Sequence, residues 1–489
     1  MSSDSHLYAV VLAGGSGQRF WPLSRELSPK QLLSMFGTES LIAQAVHRIL
    51  PFTGGGAGVT VVTNERLFDE LRNHLTAQPD AELHHVRYLK EPSARNTAPA
   101  IALAAATLAS EDPDAIMVVL PSDHLLEDGE VWADCIRAGA AVAAEGWLVT
   151  IGITPARPET GYGYIRAAGP LAEFAVGSVT PHVVAEFVEK PDLERAESYV
   201  ASGEYYWNAG IFVMKASRVL EELDAAGGNQ AHIAEVVRTI AALPADQRNG
   251  EEARAAFETI SPVSVDVAIM ERSDRVAVIP APLKWSDVGS LLALQGVAEP
   301  DESGNVRVGR GVDIDSRDSI VFSTDRLVAT LGVEDLVVVD TADATLVLPK
   351  GRAQDVRAVV EVLKAMGAPE VTQPKVSLRP WGSWTCLLSG PGFQIKLLEI
   401  RSGAKPSLQR HHHRSEHWIV VAGTALVTRD AEQLEVHVNE SIFIPMGAIH
   451  RIENCGKVGL QVIEVQVGEY LGEDDIVRIE DDWDREGER

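Results

Sequence analysis

Cysteine is scarce in this 489-residue chain: Cys135, Cys386 and Cys455 stand far apart. Three scattered thiols form neither a disulfide framework nor a CxxC metal site, which suits a reducing compartment. Positive charge is also in short supply. Lys and Arg number 43 against 70 Asp and Glu, a formal charge of −27. That balance excludes a nucleic-acid surface and an anionic membrane surface. Long apolar runs are missing too; the Ala-rich stretch 98–109 is too short to span a bilayer and reads as a buried helix. The opening "MSSDSHLYAVVLAGG" lacks the basic segment and apolar core of a secretory signal, so a cytoplasmic location is expected.

Apolar content of 45% with 23% charged residues is that of a soluble globular protein, and the length calls for more than one core. The runs "YAVVLAGG", "GVTVVTN", "AIMVVLPSD" and "WLVTIGI" are continuously apolar, as strands buried on both faces are, and helical patterns lie between them. The expected fold class is α/β, with a Rossmann-like, mostly parallel sheet over residues 1–300. Residues 301–350 break into short strands, a small β-rich module. Residues 351–374 read as a helix and linker, 375–475 as an all-β barrel, and 476–489 as an acidic tail.

Two stretches carry the chemistry. In "VVLAGGSGQRFWPLSRELSPKQLL", Gly14, Gly15 and Gly17 follow the first strand. The spacing is neither the dinucleotide fingerprint, which needs glycine where Phe20 stands, nor a Walker loop. Glycines let backbone N–H groups approach a polyphosphate. Arg19, Arg25 and Lys30 then offer charge to departing phosphates. Asp123 in "LPSDH" and Asp287 in "KWSDVGS" are candidate Mg²⁺ ligands, each equally readable as a cap or turn residue. Lys190 in "FVEKPD" is placed to meet a second phosphate, and "ETGYGYI" and "YYWNAGIF" read as walls of a sugar pocket containing Asn208.

Seven stretches, "AGGSGQRFWPLSRELSPKQLL", "EPSARNTAPA", "LPSDH", "TGYGYI", "FVEKPD", "WNAGIF" and "WSDVGS", together resemble the sugar-phosphate nucleotidyltransferases over about residues 7–350. Within these the chain is most similar to mannose-1-phosphate guanylyltransferases, departing at Gln18 and Phe20. The resemblance implies that Gly14, Gly15, Gly17, Arg19 and Lys30 hold the triphosphate of GTP. It further implies Mg²⁺ on Asp123 and Asp287, the sugar phosphate on Lys190, and the sugar of mannose 1-phosphate against Gly163, Glu189 and Asn208. Arg19 is the expected transition-state cation.

The second stretch is "GAKPSLQRHHHRSEHWIVVAGTA", followed by "NESIFIPMGAIHRIEN". Gln409, His411 and His413 share strand parity, with His412 pointing away unless a bulge re-aims it. Glu416 and His450 add further N and O ligands for Zn²⁺ or another divalent cation. This pattern resembles the cupin barrels, and within them the type II phosphomannose isomerases, over about residues 375–470. The resemblance implies metal ligands at Gln409, His411, Glu416 and His450, with His413 competing, and Arg414 as the residue that binds or activates substrate. It departs from the family at Asn439 and Glu440, where a glycine is usual. An aldose–ketose isomerase moves a proton between C1 and C2; His412, Glu453 and a metal-bound hydroxide all stay open as the base. The two resemblances imply a bifunctional enzyme acting on GTP, mannose 1-phosphate and the mannose 6-phosphate/fructose 6-phosphate pair. A guanylyltransferase with a non-catalytic barrel is the alternative, and a homodimer is the assembly to test.

Overall fold

The computed structural model describes residues 6–15, 17–127 and 129–481. The chain divides into two compact units, one of Met1–Phe68, Asp80–Asp340 and Leu346–Val362, the other of Asp69–Pro79, Thr341–Thr345 and Leu363–Arg489.

The first unit is built on β1 (Leu7–Leu12), β2 (Val59–Asn64), β3 (Arg87–Glu91), β4 (Ile116–Pro121), the short β5 (Leu125–Leu126), β6 (Leu148–Ile153), β7 (Gly163–Pro170), β8 (His182–Glu189), β9 (Tyr205–Lys215), β10 (Val276–Ala281) and the short β11 (Trp285–Ser286). Nine of these make one sheet in the order β3-β2-β1-β4-β9-β6-β10-β8-β7. The α/β class expected from the sequence is present, but parallel pairing is confined to β3-β2-β1-β4 and β6-β10. The long strand β9 runs antiparallel to β4 and β6, and β8 antiparallel to β7 and β10. β7 and β8 follow each other as a hairpin, which needs no crossover helix. The helix Thr97–Glu111 is buried along nearly its whole surface, so its Ala-rich sequence is apolar all round. Asn96 caps it by accepting from the Thr97 N–H at 2.8 Å. It packs into a core with Val10, Val62, Met117 and Phe212.

Between Val306 and Pro349 lie β12 (Val306–Val308), β13 (Gly311–Ile314), β14 (Ile320–Ser323), β15 (Val328–Leu331), β16 (Leu336–Asp340) and β17 (Thr345–Pro349). β12, β14 and β16 pair in parallel, as do β13 and β15, so successive short strands stack as coils.

The second unit contains β18 (Val376–Arg379), β19 (Gly382–Gly390), β20 (Phe393–Ile400), β21 (Leu408–His411), β22 (Arg414–Ala422), β23 (Thr424–Arg429), β24 (Glu432–His437), β25 (Ser441–Ile444), β26 (His450–Glu453), β27 (Leu460–Gly468) and β28 (Ile476–Glu480). They form two sheets, β18-β19-β20-β27-β22-β25 and β24-β23-β26-β21-β28. Trp381, Trp384, Trp418 and Val462 belong to the core of this unit. The start of the expected acidic tail is corrected here: Ile476–Glu480, three of whose five residues are apolar, is a strand that pairs antiparallel with β21. Residues 482–489 lie outside the described residues.

Candidate active sites

In the first unit the site forms where β1 meets β4. Leu12 pairs with Pro121, so the loop after β1 and the loop after β4 leave the sheet side by side. A ligand crevice is expected beyond such carboxyl ends. A cavity of about 530 Å³ opens there, lined by Gly14, Gly15 and Asp123 with Asp287, and by Gly163, Glu189 and Asn208. Motifs more than 270 residues apart therefore share one space. Gly17 has φ +58°, and a Cβ there would lie 2.6 Å from that of Lys30, so only glycine fits. A Cβ on Gly163 would lie 2.8 Å from a Glu189 carboxylate oxygen, its neighbour across the strand pair.

The three expected cations have different placements. Lys30 is buried, and its ammonium reaches Asp123 Oδ2 at 2.7 Å and the carbonyls of Asp287 and Val288 at 2.9 Å each. An ammonium has three donors, and these contacts engage all three. Lys30 thus ties the two candidate Mg²⁺ ligands together. Arg25 is 3% exposed and turns its guanidinium onto the Pro22 and Ser24 carbonyls, inside the loop rather than into the cavity. Arg19 is exposed at the loop tip and donates to Gln354 Oε1 at 2.9 Å. Lys190 is exposed and pairs with Glu189 at 2.6 Å.

Backbone strain marks the Asp287 loop. Buried Val288 has φ +48°, rare for a β-branched residue and costly by about 1–3 kcal/mol. The Lys30 bond to its carbonyl and the Ser286 hydroxyl bonded to its N–H hold that turn. Tyr162 donates to Asp287 Oδ1 at 2.6 Å and meets Trp285 and Trp207 edge to face.

Two cavity carboxylates escaped the sequence reading. Glu91, at the end of β3, is 8% exposed, and burial pushes its pKa up to about 7. It has no cationic partner among the described residues. Asp266 accepts from the Asn208 amide at 2.8 Å; burial, then the nearby Glu189 charge, raises it to about 6. The available signal was position: Glu91 follows Leu89 on the buried parity of its strand.

In the second unit His411, Glu416 and His450 converge, with one ligand atom of each within 4.8 Å of the others. His411 Nε2 lies 3.1 Å from Glu416 Oε1, and His450 Nε2 lies 3.7 Å from Oε2. Both imidazole Nε2 atoms are buried without a hydrogen-bonding partner. His450 Nδ1 sits 2.9 Å from the Ala448 carbonyl, which can only accept, so Nδ1 carries the proton and Nε2 presents its lone pair inward. Two buried imidazole nitrogens facing one carboxylate fit a divalent cation. Gln409 pairs with His450 across the strands and lines the adjoining cavity with Arg414.

Burial pushes the Glu416 carboxyl up, but contact with His411 and the nearby His450 and Arg414 outweigh it and hold the pKa at about 2. His413 does not face this cluster. β21 ends at His411 and β22 begins at Arg414, so the turn breaks the parity, and His413 pairs outside with Asp475 at 2.7 Å. Glu464 and Gln466, unnoticed in sequence, occupy the buried parity of β27 after Leu460 and Val462. Trp418 Nε1–H bridges Glu416 and Glu464 at 3.0 and 3.1 Å, and Gln466 does the same through its amide. Burial first, then the Glu416 charge, raises Glu464 to about 8.

Comparison with known proteins finds matches to both parts of the chain. Residues 8–304 match the nucleotidyl transferase family, 309–363 the MannoseP isomerase/GMP-like beta-helix domain, and 367–481 the mannose-6-phosphate isomerase C-terminal domain. The alginate biosynthesis protein AlgA of Pseudomonas aeruginosa is 43% identical, covering 98% of this chain and 97% of its own. A mannose-1-phosphate guanylyltransferase of Klebsiella pneumoniae is 41% identical over 98% of this chain and 100% of its own. A crystal structure from Thermus thermophilus, described as a mannose-1-phosphate geranyltransferase, is 32% identical, with a TM-score of 0.63 over 73% of this chain and 99% of that one. The chain belongs to the nucleotidyl transferase family, in its two-part mannose-1-phosphate guanylyltransferase group with a mannose-6-phosphate isomerase C-terminal domain.

Proposed function

We propose that the first unit joins GTP and mannose 1-phosphate to give GDP-mannose and pyrophosphate, and that the barrel interconverts mannose 6-phosphate and fructose 6-phosphate. The observation that supports the first half most is the single cavity shared by Gly14, Gly15, Asp123, Asp287, Gly163, Glu189 and Asn208. The 1-phosphate is anionic at neutral pH, so its oxygen attacks the α-phosphorus of GTP without a general base, and the bond to pyrophosphate breaks in line. Positioning and charge neutralisation then supply the rate. Arg19, at the exposed loop tip, is the cation for the leaving pyrophosphate. Lys30 acts by holding Asp123 against the Asp287 loop, and Arg25 by shaping the glycine loop. Mg²⁺ bound to Asp123 and Asp287 would neutralise phosphate charge. Lys190 meets the sugar phosphate, while Glu189, Asn208 and Asp266 take the sugar hydroxyls.

Glu91 supports guanine as the base. A carboxylate accepts two hydrogen bonds side by side, matching the N1–H and 2-amino donors of guanine, whereas adenine and uracil lack that donor pair. In the barrel, a divalent cation on Gln409, His411, Glu416 and His450 would supply Lewis acidity to the two sugar oxygens. Arg414, with its Nε 3.6 Å from Glu416, orients the substrate. Glu464 faces the cavity carrying a proton at neutral pH and can hand it to a sugar oxygen. His412 is exposed and outside the cavity lining, which counts against it as the base.

The test is pyrophosphate release from GTP, ITP, UTP, dTTP and ATP with mannose 1-phosphate and Mg²⁺. Release fastest with GTP is expected; equal rates with all five contradict the assignment.

A further inference from the structure

The barrel cavity beside the His411–Glu416–His450 cluster is lined by many cations, Lys396, Arg379, Arg414, Arg451 and Arg478 among them. Its volume is about 70 Å³, far below the several hundred Å³ of a site that takes a small molecule. Something must move before a sugar phosphate enters. Lys396 lies on β20, opposite Glu464, with its side chain 5% exposed and its ammonium 4.4 Å from the centre of the Trp384 ring. Its anionic partner is Glu473, at 3.0 Å, whose side chain is 46% exposed at the cavity mouth. The pair is therefore asymmetric: a fixed, buried cation and a half-open carboxylate.

Glu473 is also built to leave. It opens the one-turn segment Glu473–Asp475, whose backbone is held on both sides of Glu473. The buried Asp475 carboxylate accepts from the His412 and His413 N–H groups at 3.1 and 3.2 Å, and the Gly472 carbonyl accepts from Arg414 at 3.0 Å. Rotating one side chain frees Lys396 without moving that backbone. A phosphate dianion offers an ammonium more charge and three terminal oxygens where a carboxylate offers one charge and two.

We propose that Lys396 is the subsite for the phosphate group of the barrel's sugar-phosphate substrate, and that Glu473 is a resident stand-in which the incoming phosphate displaces. This rests on the isomerase reading, and two kinds of measurement separate their failures. Mannose 6-phosphate binding is measured by calorimetry on the full chain, with unphosphorylated mannose as control, and KM is measured for isomerisation. Lys396→Met weakens mannose 6-phosphate about tenfold or more, the loss expected for a hydrogen bond between charged groups, and Lys396→Arg recovers most of it. Glu473→Gln tightens binding several-fold, because the competing anion is gone. Neither substitution changes the response to mannose. Binding that does not move with Lys396→Met, or that weakens with Glu473→Gln, overturns the proposal. If binding follows this pattern without any turnover, the subsite stands and the isomerase reading falls. If turnover is present and neither variant shifts KM, the subsite falls alone.

Discussion

Glu91→Gln keeps the shape of a buried side chain and removes its ionisation. Burial raises this carboxyl from 4.5 to about 7, with no opposing partner. A raised carboxyl holds its proton more tightly folded than unfolded, so the folded state loses stability as pH climbs through that window. The loss is absent below the unfolded value and complete above the folded one. A rise of this size corresponds to about 3 kcal/mol. Urea unfolding at pH 5 and pH 8 should therefore show Glu91→Gln more stable than the unmodified protein at pH 8, by up to about 3 kcal/mol, with a much smaller gap at pH 5. The same change should damage base selection. A glutamine oxygen still accepts one bond, but its amide hydrogens face guanine donors. The preference for GTP over ITP, which lacks the 2-amino group, should fall about tenfold or more. Stability curves that run in parallel across the window would refute the argument from burial. An unchanged GTP-to-ITP ratio would refute the role in reading the base.

Arg19→Ala should lower guanylyl transfer kcat about 100-fold, as loss of a transition-state charge contact does, with isomerisation unaffected; steady-state rates of both reactions check this. Lys30→Met should raise the Mg²⁺ concentration needed for half-maximal transfer, because Asp123 and the Asp287–Val288 loop lose their shared tie; a Mg²⁺ titration with an unshifted midpoint contradicts it. Lys190→Ala should raise KM for mannose 1-phosphate more than it lowers kcat, since an exposed lysine acts on ground-state binding. His450→Ala should abolish both divalent-cation binding, followed by calorimetry, and isomerisation.

The fold was largely legible because buried strands announce themselves as unbroken apolar runs, and the helix from Thr97 as an Ala-rich apolar run. The reversed strand β9 was not, since direction leaves no mark in a strand's own composition. At the site, sequence order put Gly14, Asp123 and Asp287 in view, and the fold puts them in one cavity. What a side chain does on arrival was less visible. Lys30 bonds to a carbonyl 258 residues away, and Arg25 to carbonyls within three residues; a count of cations cannot distinguish the two. His413 looked equivalent to His411 until a strand end intervened between them. Glu464 and Gln466 were hidden by apolar neighbours in β27, although polar residues on the buried parity of a strand are the signal to seek.

Phosphorus NMR on the purified protein tests the central claim most directly. With GTP, Mg²⁺ and mannose 1-phosphate, pyrophosphate and a nucleoside diphosphate sugar should accumulate; with mannose 6-phosphate and a divalent cation, fructose 6-phosphate should appear. Arg19→Ala should suppress only the first reaction and His450→Ala only the second. Intact protein that releases no pyrophosphate from GTP, or variants in which both reactions fail together, would contradict two separate sites on one chain.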